Sequence, residues 1–143
     1  MKKYKSKIDN IFIILTIVPI VFSLIFFLNK VGGLIPSLVM ILVGIFILSI
    51  LFSTYYKIID GMLIIKSSFI VSLNIEIKSI KKIEKSRSWE KAPANSMDRI
   101  EIKYDEKPAV RYNFYDSVII SPENKEEFIA ALLEVNPTIE VNL

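Results

Sequence analysis

Two long apolar runs open the chain, and a strict alternation of apolar and polar positions takes over after them. From Asn10 to Asn29, and again from Val31 to Tyr56, no side chain is charged. Each run exceeds the roughly 18–20 residues that cross a hydrocarbon core about 30 Å thick. An unpaired apolar segment in lipid must satisfy its own backbone, so both runs are predicted to be transmembrane helices, over residues 10–29 and 34–53. Pro19 removes one amide donor and crowds the carbonyl of Leu15, which predicts a kink in the first. That run is longer than the roughly 7–15 residues of a secretory h-region, and no small-x-small cleavage site follows it, which disfavours a cleaved signal. The turn Asn29-Lys30-Val31-Gly32-Gly33 is so short that the two helices must be antiparallel neighbours. Thr16 and Ser23 lie seven apart on one, as do Ser37 and Gly44 on the other. Small residues at that spacing let backbones approach, which makes these four the candidate helix–helix contact. The plainer alternative is that they are scattered small residues in two apolar helices.

Residues 54–143 follow a different period. Tyr55-Tyr56-Lys57-Ile58-Ile59 and Met62-Leu63-Ile64-Ile65-Lys66 are β-rich runs joined by Asp60-Gly61. A two-residue type I′ turn needs φ > 0 at both positions, so Asp-Gly between such runs predicts a hairpin. Phe69, Val71, Leu73, Ile75 and Ile77 alternate as a third strand, and Ile80 and Ile83 continue an apolar face through a lysine-rich stretch. Residues 86–96 read as a loop. Arg99 to Tyr104 is a clean alternating strand, with two more expected around Val110–Phe114 and Ser117–Ile120. Ser121 is predicted as an N-cap, with Pro122 at the first helical position and acidic residues opposing the dipole. Phe128, Leu132 and Val135, with Ile129 and Leu133 beside them, form the expected buried stripe, and Asn136-Pro137 stops the helix. About seven antiparallel strands capped by one carboxy-terminal helix is the pattern of a pleckstrin-homology-like (PH-like) barrel or sandwich.

The charge is unevenly placed. Of the formal +3, the basic flank over residues 1–9 holds Lys2, Lys3, Lys5 and Lys7 against Asp9, whereas Thr54 to Leu143 carries 13 Lys/Arg and 14 Asp/Glu. The basicity therefore belongs to the membrane flank, which disfavours nucleic acid as a partner. By the positive-inside rule both termini are expected in the bacterial cytoplasm and the Gly-Gly turn outside. There is no cysteine and no histidine. That excludes disulfides, Cys/His zinc sites, His-ligated haem and Cys- or His-dependent triads, and no cofactor is expected.

From Tyr55 to Pro137 the chain resembles the YyaB-like bacterial PH domains. The matching pieces are Tyr-Tyr-Lys-Ile-x-Asp-Gly-x-Leu-x-Ile at 55–65, Ile77-x-x-Ile80-x-x-Ile83, and Pro93-Ala94-x-Ser96-x-Asp98-Arg99-Ile100-Glu101-Ile102-x-Tyr104. Ile119-Ile120-Ser121-Pro122-x-x-Lys125-x-x-Phe128-Ile129 and Asn136-Pro137 complete them. The resemblance implies a membrane-anchored, non-catalytic domain in a family that includes the immunity protein against the bacteriocin sublancin. It carries over no catalytic or ligand residues. The two-residue, acidic Asp60-Gly61 connection also lacks the basic loop with which lipid-binding PH domains cradle phosphoinositides.

Candidate contacts remain. Lys78, Lys81, Lys82, Lys85, Arg87 and Lys91, with Trp89 among them, could touch anionic lipid or a partner at roughly 1 kcal/mol per well-placed cation. The competing reading is a solvated face balanced by Glu76, Glu84 and Glu90. Asp98 is expected in a structural ion pair near a strand start. An Asp98/Glu101 acid pair is disfavoured, because residues three apart on a strand face opposite ways. Glu123, Glu126 and Glu127 lack a calcium-loop pattern and are assigned to the helix dipole. The sequence thus predicts a two-helix hairpin holding a PH-like domain against the cytoplasmic membrane. Its expected role is bacteriocin immunity or envelope defence, the partners being the bilayer and a bacteriocin peptide. The alternative is a scaffold docking a membrane protein.

Overall fold

The computed structural model describes residues 2–30, 33–68, 71–86, 94–105 and 116–143. The two apolar runs form α1 (Asn10–Leu28) and α2 (Leu34–Phe52), with Pro19 inside α1. Before them lies β1 (Lys2–Lys5). After them come β2 (Tyr55–Ile59), β3 (Met62–Ser67), β4 (Val71–Glu76) and a 3₁₀ turn at Ile77–Ser79. The chain continues with β5 (Ile80–Ser86), β6 (Arg99–Tyr104), β7 (Ser117–Ile120), α3 (Lys125–Val135) and β8 (Glu140–Asn142).

These strands make two four-stranded sheets, ordered β1-β2-β3-β4 and β7-β6-β5-β8. All pairings are antiparallel except β5 with β8, which is parallel. The barrel alternative is therefore corrected: among the described residues the strands form two sheets and no closed barrel, with seven of the eight strands, β2–β8, in residues 54–143. One corner is fastened by an isolated bridge between Ser6 and Pro122, where the Lys7 amide donates to the Ser121 carbonyl at 2.7 Å and the Glu123 amide to Lys5 at 3.0 Å. The strand expected around residues 110–114 lies outside the described residues.

The basic flank is the larger correction. Lys2–Lys5 pair in register with Ile58–Tyr55, so β1 and β2, which flank the hairpin in sequence, are neighbours in one sheet. Lys-Lys-Tyr-Lys carries one apolar side chain, and that one is buried: Tyr4 packs edge-on against Phe128, with ring centroids 5.2 Å apart at 89°. The hairpin is thus inserted between the first two strands of the domain.

Asp60 and Gly61 turn at φ 49° and 76°, as a type I′ turn requires. Inward positions of both sheets, among them Tyr56, Leu63, Ile65, Ile75, Ile83, Ile100, Ile102 and Ile120, meet Phe128 and Leu132 of α3 in one core. Burying each such side chain is worth roughly 1.5–3 kcal/mol. The helix begins four residues beyond the predicted cap, because Ser121 and Pro122 are held by the corner bridge to Ser6 and Lys7. Its buried face is Phe128, Ile129, Ala131 and Leu132, while Val135, expected inside, is exposed.

Candidate functional site: the hairpin and its junction with the sheets

Thr16 and Ser23 are the buried positions of α1, and Ser37, Gly44 and Leu51 those of α2. Both sets repeat every seven residues, which keeps one face of each helix toward its neighbour. Gly44 lies against Ile20 so closely that an added Cβ would sit 2.2 Å from Ile20 Cγ1. The Thr16 hydroxyl donates to the Phe12 carbonyl at 2.8 Å and that of Ser37 to the Gly33 carbonyl at 3.1 Å. Each is thereby satisfied within its own helix. The remaining surface is apolar and open, with Leu15 65%, Ile35 74% and Leu42 65% exposed. A helix buried in the core of a soluble protein would not show that surface.

Where the hairpin meets the sheets, a polar network forms. Tyr56 Oη donates to Ser6 Oγ at 3.0 Å and accepts from the Ser121 amide at 3.2 Å. Ser6 and Ser121 hydroxyls lie 3.1 Å apart, and the Asn95 amide donates to Ser121 Oγ at 3.1 Å. Asn95 Nδ2 reaches the Leu51 carbonyl at 3.0 Å, tying the end of α2 to the domain. On the α1 side, Asp9 accepts from Ser96 Oγ at 2.8 Å and from the Met97 amide at 2.6 Å, while its own amide donates to the Asn95 carbonyl. Both ends of the hairpin are therefore bonded to the 95–97 segment. Ser121 is a member of this network and not a helix cap.

The same junction contains the ion pair expected near Asp98. Its carboxylate takes Lys7 Nζ at 3.2 Å and Lys125 Nζ on its other oxygen. The Lys125 hydrogen bond, with help from Lys7, holds the Asp98 carboxyl below its ordinary range, against a smaller opposing effect of burial. Arg99 is buried, its Nε donates to the Ser96 carbonyl, and burial lowers its pKa.

Of the lysines singled out from sequence, Lys78 and Lys81 line one depression, and Lys82 and Lys85 follow along β5. Met62 pairs with Glu76, and the Ile77 amide bonds the Gly61 carbonyl at 2.9 Å, so the 3₁₀ turn bearing Lys78 sits beside the Asp60-Gly61 turn. That is the end of the sheet opposite the hairpin. Lys81, in the next strand, pairs with Asp105 at 3.0 Å. Lys82 pairs with Glu84 at 3.1 Å, and Lys103 takes the other oxygen of Glu84, holding that carboxyl low. Lys85 is exposed on β5, and Arg87, Trp89 and Lys91 lie outside the described residues. Glu76, Lys78, Ser79, Lys81 and Asp105 line an open depression without the apolar walls of a small-molecule site. Among the described residues, no group of three His, Cys, Asp or Glu side chains converges to hold a metal ion.

Sequence reasoning missed the junction because its members are ordinary small polar residues. The one available signal was Lys7 and Asp9 standing immediately before an uncharged run. A family model described as a bacterial PH domain matches residues 54–136, from the position before β2 to the one after α3. No curated protein and no solved structure matches the chain. The matched span leaves β1, both apolar helices and β8 outside it.

Proposed function

The chain belongs to the bacterial PH domain family, and from that premise we propose that it is a non-catalytic membrane protein whose hairpin crosses the bilayer and holds the PH-like domain against the cytoplasmic face. The observation that carries this reading is the pairing of β1 with β2 across the hairpin. Strands on either side of two crossings can share a sheet only if both emerge on one face of the membrane. The lysines before α1 favour the cytoplasmic face. The apolar outer surface of both helices supports lipid as their surroundings.

The finer reading is protection of the membrane against a bacteriocin or another envelope-active peptide, by sequestering the peptide or occluding its target. It is supported by the likeness to YyaB-like domains and by a domain fixed within reach of the bilayer. Expression of the full chain in a peptide-sensitive bacterium tests it, with survival measured across membrane-active peptides. Protection against at least one peptide is expected. Unchanged killing by every peptide, with the protein present in the membrane fraction, would sink the immunity reading. The adaptor reading, a domain docking a membrane protein, would then take its place. Recovery of the chain from the water-soluble fraction would overturn the anchored reading itself.

A further inference from the structure

The outer face of the β1-β2-β3-β4 sheet gathers lysines that are scattered in sequence. Register places Lys5, Tyr55, Lys66 and Ser72 in one row, and Lys3, Lys57, Ile64 and Asn74 in the next. Residues paired across antiparallel strands share a face, and their neighbours Tyr4, Tyr56, Ile65 and Leu73 point into the core, so both rows point outward. The rows hold four lysines and no carboxylate. Lys2, Lys7, Lys81 and Lys82 are matched with Glu134, Asp98, Asp105 and Glu84. Lys3, Lys5, Lys57 and Lys66 have no acidic partner among the described residues. Lys3 Nζ and Lys57 Nζ instead lie 4.4 and 5.2 Å from the centroid of the Tyr55 ring. Two ammonium groups drawn over one ring repel each other, and a phosphate between them would relieve that repulsion.

The rows are also the ones nearest the hairpin. Tyr55 stands three positions after the end of α2 at Phe52. An extended chain spans at most about 3.6 Å per residue, so the first row lies within about 11 Å of the helix end. The second is roughly 7 Å further. Headgroups extend roughly 5–7 Å beyond the hydrocarbon on each side, the Debye length is about 8 Å, and lysine stems reach upward.

We propose that this lysine face rests on the anionic phospholipid headgroups of the leaflet from which β1 and β2 emerge, fixing the tilt of the domain against the membrane. The inference rests on the anchored reading above. Each well-placed lysine favours the anionic surface roughly fivefold, about 1 kcal/mol. The test uses the intact chain in nanodiscs of phosphatidylcholine alone or mixed equally with phosphatidylglycerol, with acylation of each lysine followed by mass spectrometry. A surface near −30 mV raises local proton activity about threefold, which slows amine acylation by the same factor before any direct occlusion. Lys3, Lys5, Lys57 and Lys66 should react at least about threefold more slowly in the anionic discs, while Lys78 and Lys81 at the far end keep their rates. Equal rates in the two discs for the four lysines, or equal slowing of Lys78 and Lys81, overturns the lysine-face contact and leaves the anchor standing. A chain that does not enter the discs at all overturns the anchor and this contact together.

Discussion

Gly44→Ala offers a sharp test of the hairpin seam, because its effect should depend on a single neighbour. The new β carbon would lie 2.2 Å from Cγ1 and 2.5 Å from Cδ1 of Ile20. Ordinary carbon contacts are about 3.5–4.0 Å. Either Ile20 leaves its rotamer, which costs roughly 0.5–1.5 kcal/mol, or the helices move apart, with overpacking losses of about 1–3 kcal/mol. A loss of about 2 kcal/mol is expected for the single variant. Ile20→Ala removes both clashing atoms and leaves its Cβ 3.7 Å from the new carbon, which is normal contact. Alone, Ile20→Ala loses only packing, since lipid-facing and seam positions are equally apolar. The double variant should therefore be more stable than the sum of the two singles implies, by about 1–2 kcal/mol. Unfolding of the full chain by SDS in detergent micelles, followed by helical circular dichroism, measures all four corners of the cycle. Additivity within about 0.5 kcal/mol would refute close packing of Gly44 on Ile20.

Two tyrosines in one core should respond differently to the same change. Tyr56→Phe removes the acceptor of the Ser121 amide and the donor to Ser6, so thermal unfolding should show a loss of about 1–3 kcal/mol. Tyr4→Phe deletes the one buried side-chain polar atom without a hydrogen-bond partner among the described residues. Its stability should stay level or rise by up to about 1 kcal/mol; destabilisation of both variants to the same extent would refute the assignment. Asp98 gives a pH prediction. Its carboxyl is depressed in the folded protein below the ordinary 3.8. The stabilisation is therefore fully present above that ordinary value and is lost as pH falls below it toward the depressed one. Melting temperatures of wild type and Asp98→Asn should differ at neutral pH and converge in strong acid; a constant gap would exclude the linkage.

The elements legible in the sequence were those with their own periodicity. The two uncharged runs, the Asp60-Gly61 hairpin and the strand from Arg99 to Tyr104 each follow from residues close together in the chain. The strands β1 and β8 did not, since Lys-Lys-Tyr-Lys and Glu-Val-Asn each contain a single apolar residue and depend on partners far away in sequence. The start of α3 was misplaced for the same reason: Ser121-Pro122 has every local mark of a helix start, yet a distant strand end claims both residues. The face formed by Lys3, Lys5, Lys57 and Lys66 was invisible until strand register brought three separate segments side by side.

A strand made first and completed last has a consequence for biosynthesis. On the anchored reading, Lys2–Lys5 leave the ribosome before either crossing exists and have no mate until some fifty residues later. Losing one crossing would leave that strand stranded across the lipid with Tyr4 exposed and the core beside Phe128 unfilled. On that reading the sheet closes on β1 only when both crossings have been made, so completing the hairpin and completing the domain are coupled.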